Sequence, residues 1–325
     1  MGPPPRKTAS DPAASGLSYE SRCKLAGESV MSTRIAVIGV GLMGTSLAKH
    51  LLSAGYPVTV HDLDSAKVEA LVRLGARKAH APDQIAAEAD VIILSLPNSH
   101  VVNDVLTSSL KLFETGRKGL MVIDTSTPDP DMSAAMAARL RERGIEMMDG
   151  TISGTSEMFA EKNAIFMVGG SEAAFQDCRP IFLAAAKEAF YMGPNGAGAN
   201  TKLVVNLVLS LNRMALAEGL TLAARAGIDQ AQALKVLKQS AAYSSAMDQK
   251  GDRMVKRNFL KPASTLTTSY KDSRLILALG AKLDCPLPMM SLYVQALASE
   301  ISKGKTGLDP ATIIDFYRDL ANIRS

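Results

Sequence analysis

The stretch from Ile35 to Gly44 constrains this chain more than any other. Four apolar residues, Ile-Ala-Val-Ile, lead directly into the pattern Gly39-x-Gly41-x-x-Gly44, and helical apolar spacing follows. The stretch therefore predicts a strand, a tight turn and a helix. Glycines at these positions permit the turn, leave room for a pyrophosphate beside the backbone and let helix and strand pack closely. The helix N-terminus presents N–H groups to the anion, so we predict a dinucleotide site.

The predicted cofactor site comprises the loop and the end of the second strand: Gly39, Val40, Gly41, Leu42, Met43, Gly44, Asp62 and Leu63. Asp62 lies about 20 residues beyond the glycines, where a dinucleotide fold places the residue that binds the ribose. A carboxylate there accepts hydrogen bonds from ribose hydroxyls and repels a 2′-phosphate. The next cation is Lys67, so NAD is predicted in preference to NADP. Asp62 as a neighbour of a helix N-cap is the weaker alternative, because Asp64 and Ser65 supply that cap.

Strand and helix patterns alternate as far as Met192. After Ile35–Ile38, the predicted strands are Pro57–Asp62, Val91–Leu94, Leu120–Ile123, Ile145–Met148, Ala164–Val168 and Ala189–Met192. The helices between them are predicted at Ser65–Arg73, Pro82–Glu88, Pro130–Arg143 and Glu172–Ala185. This alternation with short loops predicts an α/β fold whose N-terminal domain is a doubly wound parallel (Rossmann) sheet.

From Gly196 onward the pattern is helical throughout, which predicts an all-α C-terminal domain. The predicted helices are Lys202–Ala226, Asp229–Gln239, Ser245–Lys256, Leu266–Ala281, Pro288–Lys303 and Pro310–Leu320. The first is too apolar to be solvated on all sides, so other helices or another subunit must cover it. A homodimer or homotetramer is expected. The predicted domains are residues 33–194, which bind NAD, and residues 195–325, which serve substrate binding and oligomerisation.

Residues 1–32 differ from the rest of the chain. They are rich in Pro, Ser, Ala and Gly and show no apolar period, so they are predicted to form a disordered extension. Met31 stands directly before the first strand. The interpretation that Met31 is the natural start is favoured over a targeting role for the extension.

Bulk composition excludes several classes of function. Lys and Arg number 36 against 32 for Asp and Glu, a net charge of +4, which is too small to indicate nucleic-acid binding. The cysteines Cys23, Cys178 and Cys285 are far apart and predict neither a disulfide framework nor a metal site. A reducing compartment, the cytoplasm, is therefore expected. No apolar run reaches the roughly 18 residues that span a bilayer, so no membrane partner is expected.

A nicotinamide enzyme needs a group that exchanges a proton beside the reacting carbon. The four histidines are interpreted as surface or helix-cap residues. Lys202 is the better candidate, since it follows Gly196 and Gly198, which predict a hinge between domains. Asn206 lies one turn later on the same helix face. The helix dipole and burial would both lower the pKa of Lys202, although spacing alone leaves a structural lysine as the alternative.

From Arg34 to near its end, the chain resembles the β-hydroxyacid dehydrogenase family, which includes 3-hydroxyisobutyrate dehydrogenase and tartronate semialdehyde reductase. Several motifs occur in the order found in that family. They are the glycine loop, Leu96-Pro97, Asp124-x-Ser126-Thr127, Ser153-Gly154, Gly196-x-Gly198 with Lys202 and Asn206, and Lys271-Asp272. Each motif is weak alone, and their combination is specific.

The resemblance implies a role for each motif. Lys202 would be the catalytic general acid/base, and Asn206 would hold the substrate, a small anionic hydroxy acid. The carboxylate of that acid would be bound by Ser126, Ser153, Gly154 and Thr155. The nicotinamide would be lined by Leu96, Pro97, Thr127 and Lys271. The positive charge of Lys271 would also help to keep Lys202 neutral. No metal is implied.

The departures from the family pattern lie around the substrate. Thr155 stands where the family usually has Gly, Met158-Phe159 where it has Gly-Ala, and Val205 where it has Asn. These changes predict an acid that is bulkier than 3-hydroxyisobutyrate or differently substituted. Two alternatives remain, an imine or other non-hydroxyacid reductase on the same scaffold and a non-catalytic NAD-binding scaffold protein. The 6-phosphogluconate dehydrogenases share the N-terminal pattern but have a much longer C-terminal domain, and are set aside.

Overall fold

A computed structural model of the protein describes residues 32–262 and 264–323. The chain divides into two compact units, one up to Ala199 and one from Asn200 onward. The predicted domain boundary, between residues 194 and 195, falls shortly before this division. The predicted disordered extension lies outside the described residues apart from Ser32, and so does Cys23.

The described part of the first unit contains one sheet of eight strands. The strands are β1 (Ile35–Ile38), β2 (Val58–His61), β3 (Arg77–Lys78), β4 (Val91–Leu94), β5 (Met121–Asp124), β6 (Glu146–Ser153), β7 (Ile165–Gly169) and β8 (Glu188–Gly193). Their order in the sheet is β3-β2-β1-β4-β5-β6-β7-β8. The chain thus runs outward from β1 in both directions, which confirms the doubly wound class. The short strand β3 was not predicted.

The register of the central strands determines where their loops emerge. β1 and β4 are apolar and buried along their whole length, as expected for parallel strands covered on both faces. Ile38 pairs with Leu94, Leu94 with Asp124, and Asp124 with Asp149. The carboxyl ends of β1, β4 and β5 therefore lie at one edge of the sheet, where open α/β sheets bind their ligands.

The sheet is parallel, as predicted, except at one place, where β7 runs antiparallel to β6. β8 then runs parallel to β7. The connection from β6 to β7, residues 154–164, contains only a five-residue helix. A parallel pair needs a crossover of a dozen or more residues. The short connection therefore turns the chain back beside β6.

The helices of the first unit cover both faces of the sheet. They are α1 (Leu42–Ser53), α2 (Ser65–Val72), α3 (Pro82–Glu88), α4 (Ser99–Asp104), α5 (Leu112–Thr115), α6 (Pro130–Arg141), α7 (Ser156–Ala160) and α8 (Glu172–Ala185). A π-helical turn, Val105–Ser109, follows α4. Helices α4, α5 and α7 were not predicted, because each is too short to show a full hydrophobic period.

The described residues of the second unit are helical, as predicted. The helices are α9 (Ala197–Arg225), which begins in the first unit, α10 (Gln230–Gln239), α11 (Ser245–Lys256), α12 (Leu266–Lys282), α13 (Pro288–Ser302) and α14 (Ile313–Leu320). A 3₁₀ turn, Pro310–Thr312, opens the last predicted helix. Buried side chains from several helices form one core, which includes Leu203, Leu220, Met254, Ile276, Tyr293 and Ile314.

Helix α9 is longer than the predicted helix Lys202–Ala226. It has 29 residues, and by length and composition alone it could cross a membrane. It contains Lys202, Asn206 and the buried Arg213, whose Nη1 donates to the hydroxyl of Tyr293 at 3.1 Å. Core helices of proteins that never enter a bilayer reach the same apolar composition.

Candidate functional site

The three glycines of the loop after β1 differ in backbone conformation and in the space around them. Gly39 has φ +86° and donates its N–H to the carbonyl of His61 at 2.9 Å, a left-handed conformation that glycine adopts at little cost. A Cβ at Gly44 would overlap the Gly39 carbonyl oxygen, so α1 packs directly on the loop. A Cβ at Gly41 would meet no atom of the described residues within 4 Å. This open space beside the backbone fits the pyrophosphate of a dinucleotide.

The N-terminus of α1 faces the same space. Gly41 is the N-cap, and no side chain of residues 32–262 or 264–323 caps the helix there. The first N–H groups of a helix have no partners inside the helix and carry the positive end of its dipole. The loop and helix start therefore have the features of an anion site, and the assignment of the pyrophosphate to them stays a prediction.

Asp62 joins the end of β2 to this loop. Its Oδ2 accepts the N–H of Val40 at 2.7 Å, and its Oδ1 accepts the N–H of Asp64 at 2.8 Å. A carboxylate has about four acceptor positions, so both oxygens can still accept from ribose hydroxyls. Leu63 is 99% exposed. Asp64 caps α2 as predicted and lies 3.3 Å from Lys67 Nζ, so the next cation along the sequence already has an anionic neighbour.

The loops after β4 and β5 also lie at the edge of the sheet formed by the carboxyl ends of β1, β4 and β5. Ser126 is buried, and its hydroxyl accepts the N–H of Leu96 at 3.0 Å. The N–H of Ser126 donates to Asp124 Oδ1 at 2.9 Å. Pro97 is exposed and Thr127 is partly exposed. The structure therefore brings the predicted Leu96-Pro97 and Ser126-Thr127 segments together and fixes both to the end of β5.

Two buried carboxyl groups lie side by side beneath these loops. Asp124 and Asp149 are paired in register on β5 and β6, and both have no exposed surface. Asp149 accepts the N–H groups of Gly196 and Ala199, each at 2.8 Å, and so holds the start of α9. Asp124 Oδ2 has no hydrogen-bond partner in the described part of the chain. Burial raises the pKa of Asp149, although the hydrogen bonds from these N–H groups act to lower it.

Burial also raises the pKa of Asp124, to about 6, and the charge of Asp149 adds to that effect. Asp124 was predicted only as part of a motif, and Asp149 was not predicted as a site residue. A signal was present, since each aspartate ends or interrupts an apolar strand. The strand pairing that makes them neighbours could not be read from the chain.

Replacing Asp124 by Asn should raise the free energy of unfolding, relative to that of the wild type, more at about pH 7.5 than at about pH 4.5. The ordinary pKa of the carboxyl is 3.8, and in the folded chain it is about 6. The folded state therefore holds the proton more tightly, and this contribution to stability is lost as pH rises from about 4 through about 6. The full loss is roughly 3 kcal/mol at about 1.36 kcal/mol per pKa unit. Asn does not titrate, so this loss of stability disappears, and its side-chain oxygen can still accept the N–H of Ser126.

Urea denaturation of both proteins at the two pH values measures this effect. The free energy of unfolding of Asp124→Asn minus that of the wild type should grow with pH. An equal difference at both pH values would show that Asp124 does not titrate in this range.

The loop after β6 contains the remaining predicted residues of the first unit. Ser153 ends the strand, and Gly154 has φ +152° with its missing Cβ directed at the Ala164 Cβ, 2.8 Å away. The Thr155 hydroxyl accepts the N–H of Met158 at 3.2 Å and caps α7. The structure thus gives Thr155 a structural task that its predicted role did not include.

The second unit contains the predicted proton-transfer group. Lys202 and Asn206 lie one turn apart on α9 and are partly buried. Burial of the Lys202 amine lowers its pKa to about 8, and the charge of Asp272 opposes this fall. Lys271 Nζ lies 3.2 Å from Asp272 Oδ1, so the positive charge of Lys271 is offset. Burial, rather than the proposed repulsion by Lys271, accounts for the lowered pKa.

These features define a dehydrogenase that binds a nicotinamide dinucleotide, with a glycine loop on a doubly wound sheet and a lysine of lowered pKa. Residues 34–193 match the family model described as the NAD binding domain of 6-phosphogluconate dehydrogenase. Residues 196–317 match the model described as NAD-binding of NADP-dependent 3-hydroxyisobutyrate dehydrogenase. The chain belongs to the β-hydroxyacid dehydrogenase family and is an NAD(P)-dependent enzyme that acts on hydroxyl groups.

Two kinds of relative share most of this chain. It is 29% identical over 292 residues to 2-(hydroxymethyl)glutarate dehydrogenase of Eubacterium barkeri, covering 90% of this chain and 97% of that enzyme. It is 30% identical over 276 residues to the human cytokine-like nuclear factor N-PAC, covering 85% of this chain. The matched part is 49% of N-PAC, so the chain corresponds to about half of that protein.

Solved structures show the same architecture. The 3-hydroxyisobutyrate dehydrogenase of Salmonella typhimurium superposes with a TM-score of 0.80 at 26% identity, covering 87% of this chain and 99% of that one. An imine reductase from Pseudomonas sp. reaches a TM-score of 0.60 at 22% identity, covering 88% and 99%. At that identity the second likeness shows the fold alone.

Proposed function

We propose that the protein oxidises a β-hydroxy acid to the semialdehyde or keto acid with NAD, with Lys202 as the general acid/base, and catalyses the reverse reduction. The observation that carries the proposal is the Lys202 amine, whose pKa burial lowers to about 8. A group that exchanges a proton efficiently near neutrality needs a pKa close to the working pH. An ordinary lysine, with a pKa near 10.4, would be almost fully protonated there.

In the oxidation, neutral Lys202 takes the proton of the substrate hydroxyl as the C–O bond becomes a carbonyl. NAD, held by the glycine loop and Asp62, would supply the hydride acceptor, so the proton taken by Lys202 and the hydride that leaves the same carbon account for both hydrogens. In the reduction, the Lys202 ammonium returns the proton to the developing alkoxide. Asn206, one turn further along α9, can donate to and accept from the substrate and so orient it.

The carboxylate of the acid needs donors that do not themselves react. We assign it to Ser126, Ser153 and the N–H groups near Gly154, because hydroxyls and backbone N–H groups bind carboxylates through strong charge-assisted hydrogen bonds. The Ser126 hydroxyl accepts the N–H of Leu96 and also forms a side-chain hydrogen bond with Asp124, so both neighbours fix its position in this loop. Leu96, Pro97, Thr127 and Lys271 are proposed to line the nicotinamide.

NAD is proposed over NADP because the Asp62 carboxylate lies beside the glycine loop, where it accepts the N–H of Val40, and we assign the ribose to it. A 2′-phosphate there would meet the Asp62 carboxylate, and such like-charge contact rejects the wrong ligand. Replacing Asp62 by Asn should lower the ratio of kcat/KM for NAD to that for NADP about tenfold, a change of roughly 1.4 kcal/mol. Asn keeps an oxygen for the N–H of Val40, whereas Asp62→Ala should also weaken NAD binding, since that hydrogen bond is lost.

Cofactor titrations of the wild type and both variants separate these two effects. Lys67→Ala serves as the control, because Lys67 is paired with Asp64 and should not set the preference. An unchanged NAD to NADP ratio in Asp62→Asn would remove Asp62 as the selecting residue.

The experiment that tests the activity is an absorbance screen of NAD and NADP reduction with a panel of β-hydroxy acids. The panel should include 3-hydroxyisobutyrate, 2-(hydroxymethyl)glutarate and acids with larger substituents, since the family departures surround the substrate. Amine substrates in parallel wells test the imine-reductase alternative. Turnover with a hydroxy acid supports the proposal, and turnover only with amines favours the imine-reductase alternative. Binding of dinucleotide without any turnover favours the alternative of a non-catalytic scaffold protein.

A further inference from the structure

His50 makes a contact that its interpretation as a surface or cap residue did not include. It lies in the last turn of α1, the helix that begins at the glycine loop. Its Nε2 is 2.8 Å from the carbonyl oxygen of Phe159 in α7. Since a carbonyl only accepts, Nε2 must bear the proton in this contact. The two rings also meet edge to face, with centroids 5.9 Å apart at 81°.

Phe159 anchors the short helix α7 to the core of the first unit. Its side chain has no exposed surface, and its ring meets that of Phe166 edge to face at 6.0 Å. The carbonyl that His50 contacts also accepts the N–H of Lys162 at 3.1 Å, where the chain turns with φ +57°. His50 thus binds α7 at the end opposite to its Thr155 cap.

A helix of five residues has little stability of its own, because the first turn costs more conformational entropy than its hydrogen bond returns. α7 therefore depends on its contacts with other elements. The sharp turn at Gly154 lies directly before it, and Ser153 and Thr155 flank that turn. Whatever fixes α7 consequently fixes the loop of residues 153–155.

We propose that His50 is a positioning residue for the substrate loop, residues 153–155, and that it ties this loop to the cofactor-binding helix α1. The proposal rests on the assignment of that loop to the substrate carboxylate under the proposed function. His50 touches neither substrate nor cofactor in this role. It restricts the loop to one conformation, so that less conformational entropy is lost when the carboxylate binds.

The consequence is a selective effect on substrate binding. His50→Phe keeps a ring for Phe159 but removes the N–H donor, so α7 should open more often. The KM for the hydroxy acid should rise about tenfold, while kcat and the KM for NAD change less than about twofold. His50→Gln supplies an amide N–H that can reach the Phe159 carbonyl, so it should restore the KM to within about threefold.

Hydrogen exchange measured by mass spectrometry provides a readout that does not need turnover. In His50→Phe, amides of residues 156–163 should exchange about tenfold faster, while those of β1 and β4 keep the wild-type rate. His50→Gln should exchange as the wild type does. Lys49→Gln is the matched control, since Lys49 is the exposed neighbour on the same helix, and it should change neither readout.

An unchanged KM for the hydroxy acid in His50→Phe would overturn the proposal. A His50→Gln variant as impaired as His50→Phe would overturn it too, since that result would indicate packing alone. A rise in the KM for NAD equal to that for the acid would also overturn it. If the wild type turns over no hydroxy acid, the proposed function fails separately. The exchange rates of residues 156–163 then still decide whether His50 holds α7.

Discussion

Replacing Lys202 by Ala should lower kcat for hydroxy-acid oxidation about a hundredfold or more, with NAD binding unchanged. Removal of a general acid/base typically costs two to four orders of magnitude. NAD binding should persist because the glycine loop and Asp62 belong to the first unit. Steady-state rates and calorimetric titration with NAD measure the two properties. Near-normal turnover would exclude Lys202 from the mechanism.

The role of Lys202 also predicts the direction in which the two reaction rates change with pH. Oxidation needs the neutral amine, so kcat/KM should rise with pH through about 8, the pKa that burial gives Lys202. Reduction needs the ammonium, so its rate should fall through the same pH. Because the charge of Asp272 raises this pKa, Asp272→Asn should move both midpoints to lower pH. Midpoints that stay in place would assign the titration to another group.

Two variants distinguish loss of chemistry from loss of structure. Added primary amines should partly restore turnover in Lys202→Ala, since a small amine can enter the space that the side chain leaves and exchange the proton. Lys235→Ala, at an exposed position of α10, should behave as the wild type. Absence of amine rescue together with a lowered melting temperature would indicate a structural lysine, the alternative that spacing alone left open.

The parts of the site that could be predicted depend on local backbone rules. The requirement for glycine at positions 39, 41 and 44 follows from a strand that turns directly into a helix, and the Asp64 cap follows from the next helix start. Both are confirmed. The NAD(P)-dependent class was predictable for the same reason, because a phosphate site of this kind is made by consecutive residues.

What could not be predicted depends on contacts between residues far apart in sequence. Asp124 and Asp149 become neighbours only through the pairing of β5 with β6. The contact between His50 and Phe159 requires α7 to fold, and α7 is too short to show a period. The antiparallel β7 follows from the same short connection. Substrate identity and the homodimer or homotetramer stay predictions, because both depend on surfaces that these contacts shape.

Gly41→Ala and Gly44→Ala should fail in different ways, although both glycines belong to one motif. A Cβ at Gly41 would meet no atom of the described residues within 4 Å, and φ there is −67°, so Ala fits the protein itself. The methyl group would instead occupy the space that we assign to the pyrophosphate. We expect the Kd for NAD to rise about fiftyfold, roughly 2.3 kcal/mol, with the melting temperature unchanged.

A Cβ at Gly44 would overlap the Gly39 carbonyl oxygen, so α1 must move away from the loop before any cofactor is present. Such overpacking costs about 1–3 kcal/mol or more, and the melting temperature of the free protein should fall. Thermal unfolding without cofactor and calorimetric titration with NAD separate the two glycines. If Gly41→Ala destabilises the free protein as much as Gly44→Ala does, the space beside Gly41 is required for folding, and the pyrophosphate must be bound elsewhere on the loop.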